Sequence, residues 1–148
     1  MFKLASKRYR VPDYSIHAMP MPKTRGQLES EVAVFVNGFE REHMGRGASE
    51  IRAFLVEDML IVRLRGILTP AEQQLAKSQA TERGRDLIKQ VRLELLNRSQ
   101  SMLVAGIKDI AGVGVRSMHV DISTKTGEKV IVFSLATNPV VADCSAGP

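Results

Sequence analysis

The sequence predicts an α+β protein: two successive α-β-β units forming a four-stranded antiparallel sheet with helices on one face. Two observations carry the prediction. Apolar stretches with a helical period alternate with paired β-branched runs, one pair in each half of the chain. The halves also share a signature, since Gly45-x-Gly47 precedes the first strand pair and Gly112-x-Gly114 the second.

The first helix is expected over residues 27–44. Leu28, Val32, Phe35, Val36 and Phe39 recur at three- and four-residue spacing and make one apolar stripe. Glu29 and Glu31 suit its N-terminus, Arg41 its last turns, and Gly45 and Gly47 its exit. Strands follow at Glu50–Val56 and Met59–Arg65, alternating around a Glu57-Asp58 turn. Gly66 ends this hairpin. Thr69-Pro70-Ala71-Glu72 is the sharpest local signal: a threonine cap, a proline at the first helical position and a glutamate that reaches back to the cap. A short helix should run from there to residue 78, with Thr69→Ala costing more than Glu72→Ala. A longer helix is expected from residue 82, with Leu87, Val91, Leu95 and Met102 along its stripe, a bend near residues 99–101 and an end weakened by Gly106. Strands at Val115–Ser123 and 129–135 then flank Lys125-Thr126-Gly127-Glu128, a turn in which Gly127 is free to take positive φ.

Composition sets the class. With 148 residues, 44% apolar and 25% charged, the chain suits one globular domain with a sizeable core. A single cysteine, Cys144, can neither staple the fold nor build a zinc site, which reads as a reducing compartment. No stretch approaches the roughly 18 apolar residues of a spanning helix. A cytoplasmic protein is expected, at most peripheral to the inner membrane. The formal charge of +5 is localised: residues 1–25 hold six basic side chains against Asp13, and the remainder balances 15 basic with 15 acidic groups. The chain therefore divides into a basic, poorly ordered tail (1–25), an α+β domain (26–136) and a flexible C-terminal tail (137–148).

Several polar positions invite a functional reading beside a plainer one. Arg63 and Arg65 share a strand face and offer forked donors for a carboxylate, phosphate or bicarbonate. The same pair also suits a solvated face or glutamates across an interface. His119, Asp121 and Ser123 alternate onto one face, as an anion or metal site or as the solvent side of a half-buried strand. One histidine and one aspartate fall short of a metal shell, so neither metal nor cofactor is expected. The turn with Ser123 and Lys125 has phosphate-cradle residue types, but it lacks the glycine spacing and following helix of a P-loop. His17, His43 and His119 stand in unrelated settings, with no nucleophile–base pairing. Thr69 and Glu72 complete the positions considered for ligand or partner contact.

Two longer stretches carry a family resemblance. Residues 59–72 (MLIVRLRGILTPAE), continued by Leu75-Ala76-Lys77, and residues 119–135 (HVDISTKTGEKVIVFSL) resemble the MpsC-like family, a former domain of unknown function. The resemblance spans about residues 26–136. It implies a small accessory protein, not an enzyme, working with a membrane transport subunit linked to sodium or proton flux and to inorganic-carbon supply. No catalytic residues come with it. The rival from another class is a nucleic-acid-binding module using the basic tail, against which the neutral remainder argues. An enzyme with an unrecognised site is the third reading. Assembly is expected as well: strand 129–135 is apolar on both faces, so one set, taken as Ile131 and Phe133, would be buried against a second copy in a homodimer.

Overall fold

The computed structural model describes residues 21–77 and 82–142, and its first helix, α1 (Arg25–Met44), begins at a capping box. Thr24 Oγ1 accepts from the Gln27 amide at 3.2 Å, and Gln27 Oε1 accepts from the Thr24 amide at 3.0 Å. The helix therefore starts two residues before the expected position. Gly45 ends it at φ 76°, a left-handed cap that β-carbons disfavour. Strands β1 (Glu50–Val56) and β2 (Met59–Arg65) form the first hairpin, followed by α2 (Pro70–Lys77) and α3 (Glu82–Ala111). Strands β3 (Val115–Ser123) and β4 (Glu128–Leu135) form the second.

The sheet is antiparallel throughout, in the order β1-β2-β4-β3. The two hairpins thus join through their second strands, as a duplicated α-β-β plan requires. On the covered face lie Ala53, Leu55, Leu60, Val62, Leu64, Ile122, Ile131, Phe133 and Leu135, all buried. Helix α1 contributes Leu28, Val32, Val36 and Phe39 to the same core, and α3 contributes Ile88, Leu96, Leu103 and Ile107.

Two expectations about facing are overturned. Ile131 and Phe133 are fully buried beneath the helices, so they cannot meet a second copy; Val130 and Val132 hold the open face instead. In α3 the stripe Leu87, Val91, Leu95 and Met102 points outward, each residue at least 40% exposed. The buried stripe runs one position later, through Ile88, Arg92, Leu96, Leu103 and Ile107. A charged residue in its middle hides it from an apolar count. The helix also runs unbroken through residues 99–101, where Ser99 Oγ donates to Leu95 O at 3.3 Å.

Gly106 has a packing role. A β-carbon there would fall 2.0 Å from Phe35 Cζ, so the ring of α1 lies directly on the α3 backbone. At the chain's entry Lys23 pairs with Glu31 at 2.5 Å and its carbonyl accepts from the Ala142 amide at 2.9 Å. Pro139 is buried and Val141 packs on the core. Residues 1–20, which carry His17 and most of the basic tail, lie outside the described residues, as do Ser78 and Cys144.

Candidate functional site

Strand register arranges the open face in rows. Phe54, Ile61, Val132 and His119 align across the four strands, and the neighbouring row is Arg52, Arg63, Val130 and Asp121. Beyond the first row lie Val56, Met59, Ser134 and Ser117; beyond the second, Glu50 faces Arg65 and Glu128 faces Ser123. One half of the face is apolar and the other charged. Phe54 is 42% exposed and Val56 51%, a large apolar area for a surface.

The charged half is an ion-pair network. Glu128 accepts from Arg63 Nε at 2.8 Å and lies 3.5 Å from Arg65 Nε; Glu50 binds Arg65 and Arg52, each at 3.3 Å. The Arg63 guanidinium, and less strongly Arg65, holds the Glu128 carboxyl below its ordinary range. A hollow of ≈ 200 Å³ lies among Glu50, Arg52, Phe54, Arg63 and Arg65. The expected glutamate partners of Arg63 and Arg65 therefore come from the same chain.

The other expected positions separate into three places. His119, Asp121 and Ser123 do share the open face, on edge strand β3. His119 Nε2 lies 3.2 Å from Ser117 Oγ, while Asp121 pairs with Lys89 of α3 at 2.6 Å. That lysine's hydrogen bond lowers the Asp121 pKa. Ser123 Oγ is occupied by the Thr126 amide at 3.3 Å. Among the described residues no group of three or more His, Cys, Asp and Glu gathers to hold a metal.

Thr69 and Glu72 form the predicted box at the α2 start: the Thr69 amide donates to Glu72 Oε2 at 2.7 Å and the Glu72 amide to Thr69 Oγ1 at 3.3 Å. Glu72 does more than cap. Arg92, 3% exposed, reaches it with Nε at 2.9 Å and Nη2 at 2.7 Å, and Nη2 also donates to Ile67 O. Burial raises the Glu72 pKa, but Arg92 and the Thr69 amide outweigh it and bring the carboxyl below its usual value. Lys125, at the tip of the β3–β4 turn, stands apart with Lys77 and Arg85.

Sequence reading missed the most deeply buried polar pair. Lys129 of β4 and Glu40 of α1 are fully buried and bonded to each other. Desolvation pulls the Lys129 pKa down, Glu40 pulls it back up, and the net direction is down. The available signal was parity, since Lys129 falls in line with Ile131, Phe133 and Leu135.

The fold is thus an α+β sheet protein with a half-apolar, half-charged open face and a buried ion pair joining α1 to β4. The chain belongs to the family described as the Na+-translocating membrane potential-generating system (MpsC), which it matches over residues 24–137. It is 38% identical over 122 residues to the uncharacterized protein YbcI of Bacillus subtilis (strain 168), covering 80% of this chain and 93% of that one. No solved structure matches it.

Proposed function

We propose that the protein is a non-enzymatic accessory component of a cation-translocating, membrane-potential-generating system, acting from the cytoplasmic side as a homodimer. The family match over residues 24–137 is the observation that carries this reading. Among the described residues no helix is long and apolar enough to cross a membrane. On this reading translocation itself belongs to membrane-spanning partner subunits. The polar groups support contact rather than turnover: Arg63, Arg65 and Asp121 are held in ion pairs, and Glu72 is committed to a cap and to Arg92. Any effect on inorganic-carbon supply follows from the cation gradient.

The open face favours a second copy as its occupant. It carries both signs, with Arg52, Arg63 and Arg65 beside Glu50 and Glu128, and is therefore its own electrostatic complement. A two-fold mate would also cover Phe54, Val56 and Met59, which are already half-buried, so each gains half of the ~1.5–3 kcal/mol of a full burial. Light scattering on full-length protein should give twice the 16.3 kDa chain mass, and Phe54→Asp should return it to one chain while unfolding stays cooperative. Tagged protein drawn from mildly solubilised membranes should bring a membrane-spanning subunit with it. A single-chain mass at every concentration overturns the dimer, and recovery without any membrane-spanning partner overturns the accessory role.

A further inference from the structure

A cleft of ≈ 260 Å³ opens where α2, the start of α3 and the β3–β4 turn converge. Three cations line it, each from a different element: Lys77 from the end of α2, Arg85 from α3 and Lys125 from the turn. Among the described residues no carboxylate lines this cleft. Its floor is apolar, from buried Leu68 and Ala76.

Several other cations of the fold have carboxylate partners. Arg63 and Arg65 have Glu128, Lys89 has Asp121, Arg92 has Glu72 and Lys129 has Glu40. Among the described residues Lys77 and Lys125 make no ion pair, and Arg85 is held only through Nε on the Ala76 carbonyl at 3.2 Å. That bond fixes the guanidinium at the cleft and leaves its Nη donors available. Converging like charges without a counter-charge is unfavourable, and a bound dianion would relieve it.

Two amides of the turn are already committed within it. The Gly127 amide is taken by Ser123 O at 2.8 Å and the Thr126 amide by Ser123 Oγ at 3.3 Å. The cationic side chains therefore carry recognition. Three forked or rotatable cationic donors over an apolar floor match a phosphate monoester with a small organic group, better than bare phosphate.

We infer that the Lys77–Arg85–Lys125 cleft is a binding site for a dianionic phosphate, carried by a small phosphomonoester or by a lipid headgroup. It is independent of the open face and of the accessory role. Glu82 and Asp86 line a neighbouring hollow that shares Arg85 and Lys125, and they temper the field without entering the cleft.

The test is a titration of full-length protein with inorganic phosphate and with glycerol phosphate, followed by amide NMR at constant ionic strength. Saturable shifts should centre on Lys77, Arg85, Thr126 and Gly127, with glycerol phosphate binding more tightly. Lys125→Ala and Lys77→Ala should each weaken binding about tenfold, Lys125→Arg should retain it, and the double change Glu82→Gln/Asp86→Asn should strengthen it. Vesicles of phosphatidic acid set against phosphatidylcholine distinguish the sources. Capture by phosphatidic acid that is lost in Lys125→Ala assigns the phosphate to a lipid, and its absence assigns it to a soluble ester. Shifts that do not saturate, or that persist unchanged in the two lysine variants, overturn the site.

Discussion

At Glu72 a helix cap and a buried arginine compete for one carboxylate, and their union reverses the order of mutational costs read from the cap alone. Thr69→Ala removes one capping bond and should cost about 1 kcal/mol. Glu72→Ala also strands Arg92 at 3% exposure and should cost about 3 kcal/mol or more. Because the folded Glu72 pKa is depressed, its stabilisation is fully present above the unfolded value, about 4.3, and is lost as pH falls through the lower folded value. Thermal melts between neutral and acid pH should therefore fall more steeply for wild type than for Glu72→Gln; parallel curves would remove Glu72 from the acid response. Lys129 and Glu40 follow a related logic. Lys129→Met leaves the buried Glu40 carboxyl without its partner and should cost about 3–5 kcal/mol, whereas Lys129→Met with Glu40→Leu should recover much of that loss. Denaturant melts of the double-mutant cycle measure the coupling, and simple additivity would mean that the pair does not interact.

Among the elements, the hairpins and the α2 start were legible because their signals are local. The Thr69-Pro70-Ala71-Glu72 box and the positive φ of Gly127, 69°, each follow from a few adjacent residues. Facing was legible only in part. The α3 core stripe passes through Arg92, whose burial depends on a glutamate 20 positions away, so apolar spacing pointed to the outward stripe instead. In β4 both faces are apolar, and the deciding residue is Lys129, whose partner lies 89 positions earlier. Of the positions considered for contact, strand parity correctly grouped His119, Asp121 and Ser123 on one face. It could not reveal that Arg63 and Arg65 are already paired within the chain. Gly106 also looked like a weak point in its helix. Replacing an exposed helical glycine with alanine usually stabilises by nearly 1 kcal/mol, but here the new methyl meets the Phe35 ring. Gly106→Ala should therefore destabilise by about 1–3 kcal/mol, with Phe35→Ala restoring tolerance. A stabilised Gly106→Ala protein in denaturant melts would show that the ring moves freely.

For the whole molecule, the duplicated α-β-β plan buries one sheet face under α1 and α3 and leaves apolar surface in two places, half of the open face and the outward α3 stripe. On the proposed reading one of these surfaces serves a second copy and the other a further partner. The proposed function ties this surface to membrane potential. The most direct measurement is the membrane potential, read with a voltage-sensitive dye, in cells of the source organism lacking the protein and supplied with sodium. The potential should be reduced, restored by wild-type protein and not restored by Phe54→Asp at equal protein levels. An unchanged potential in the deletion, or full restoration by Phe54→Asp, would contradict the proposed function.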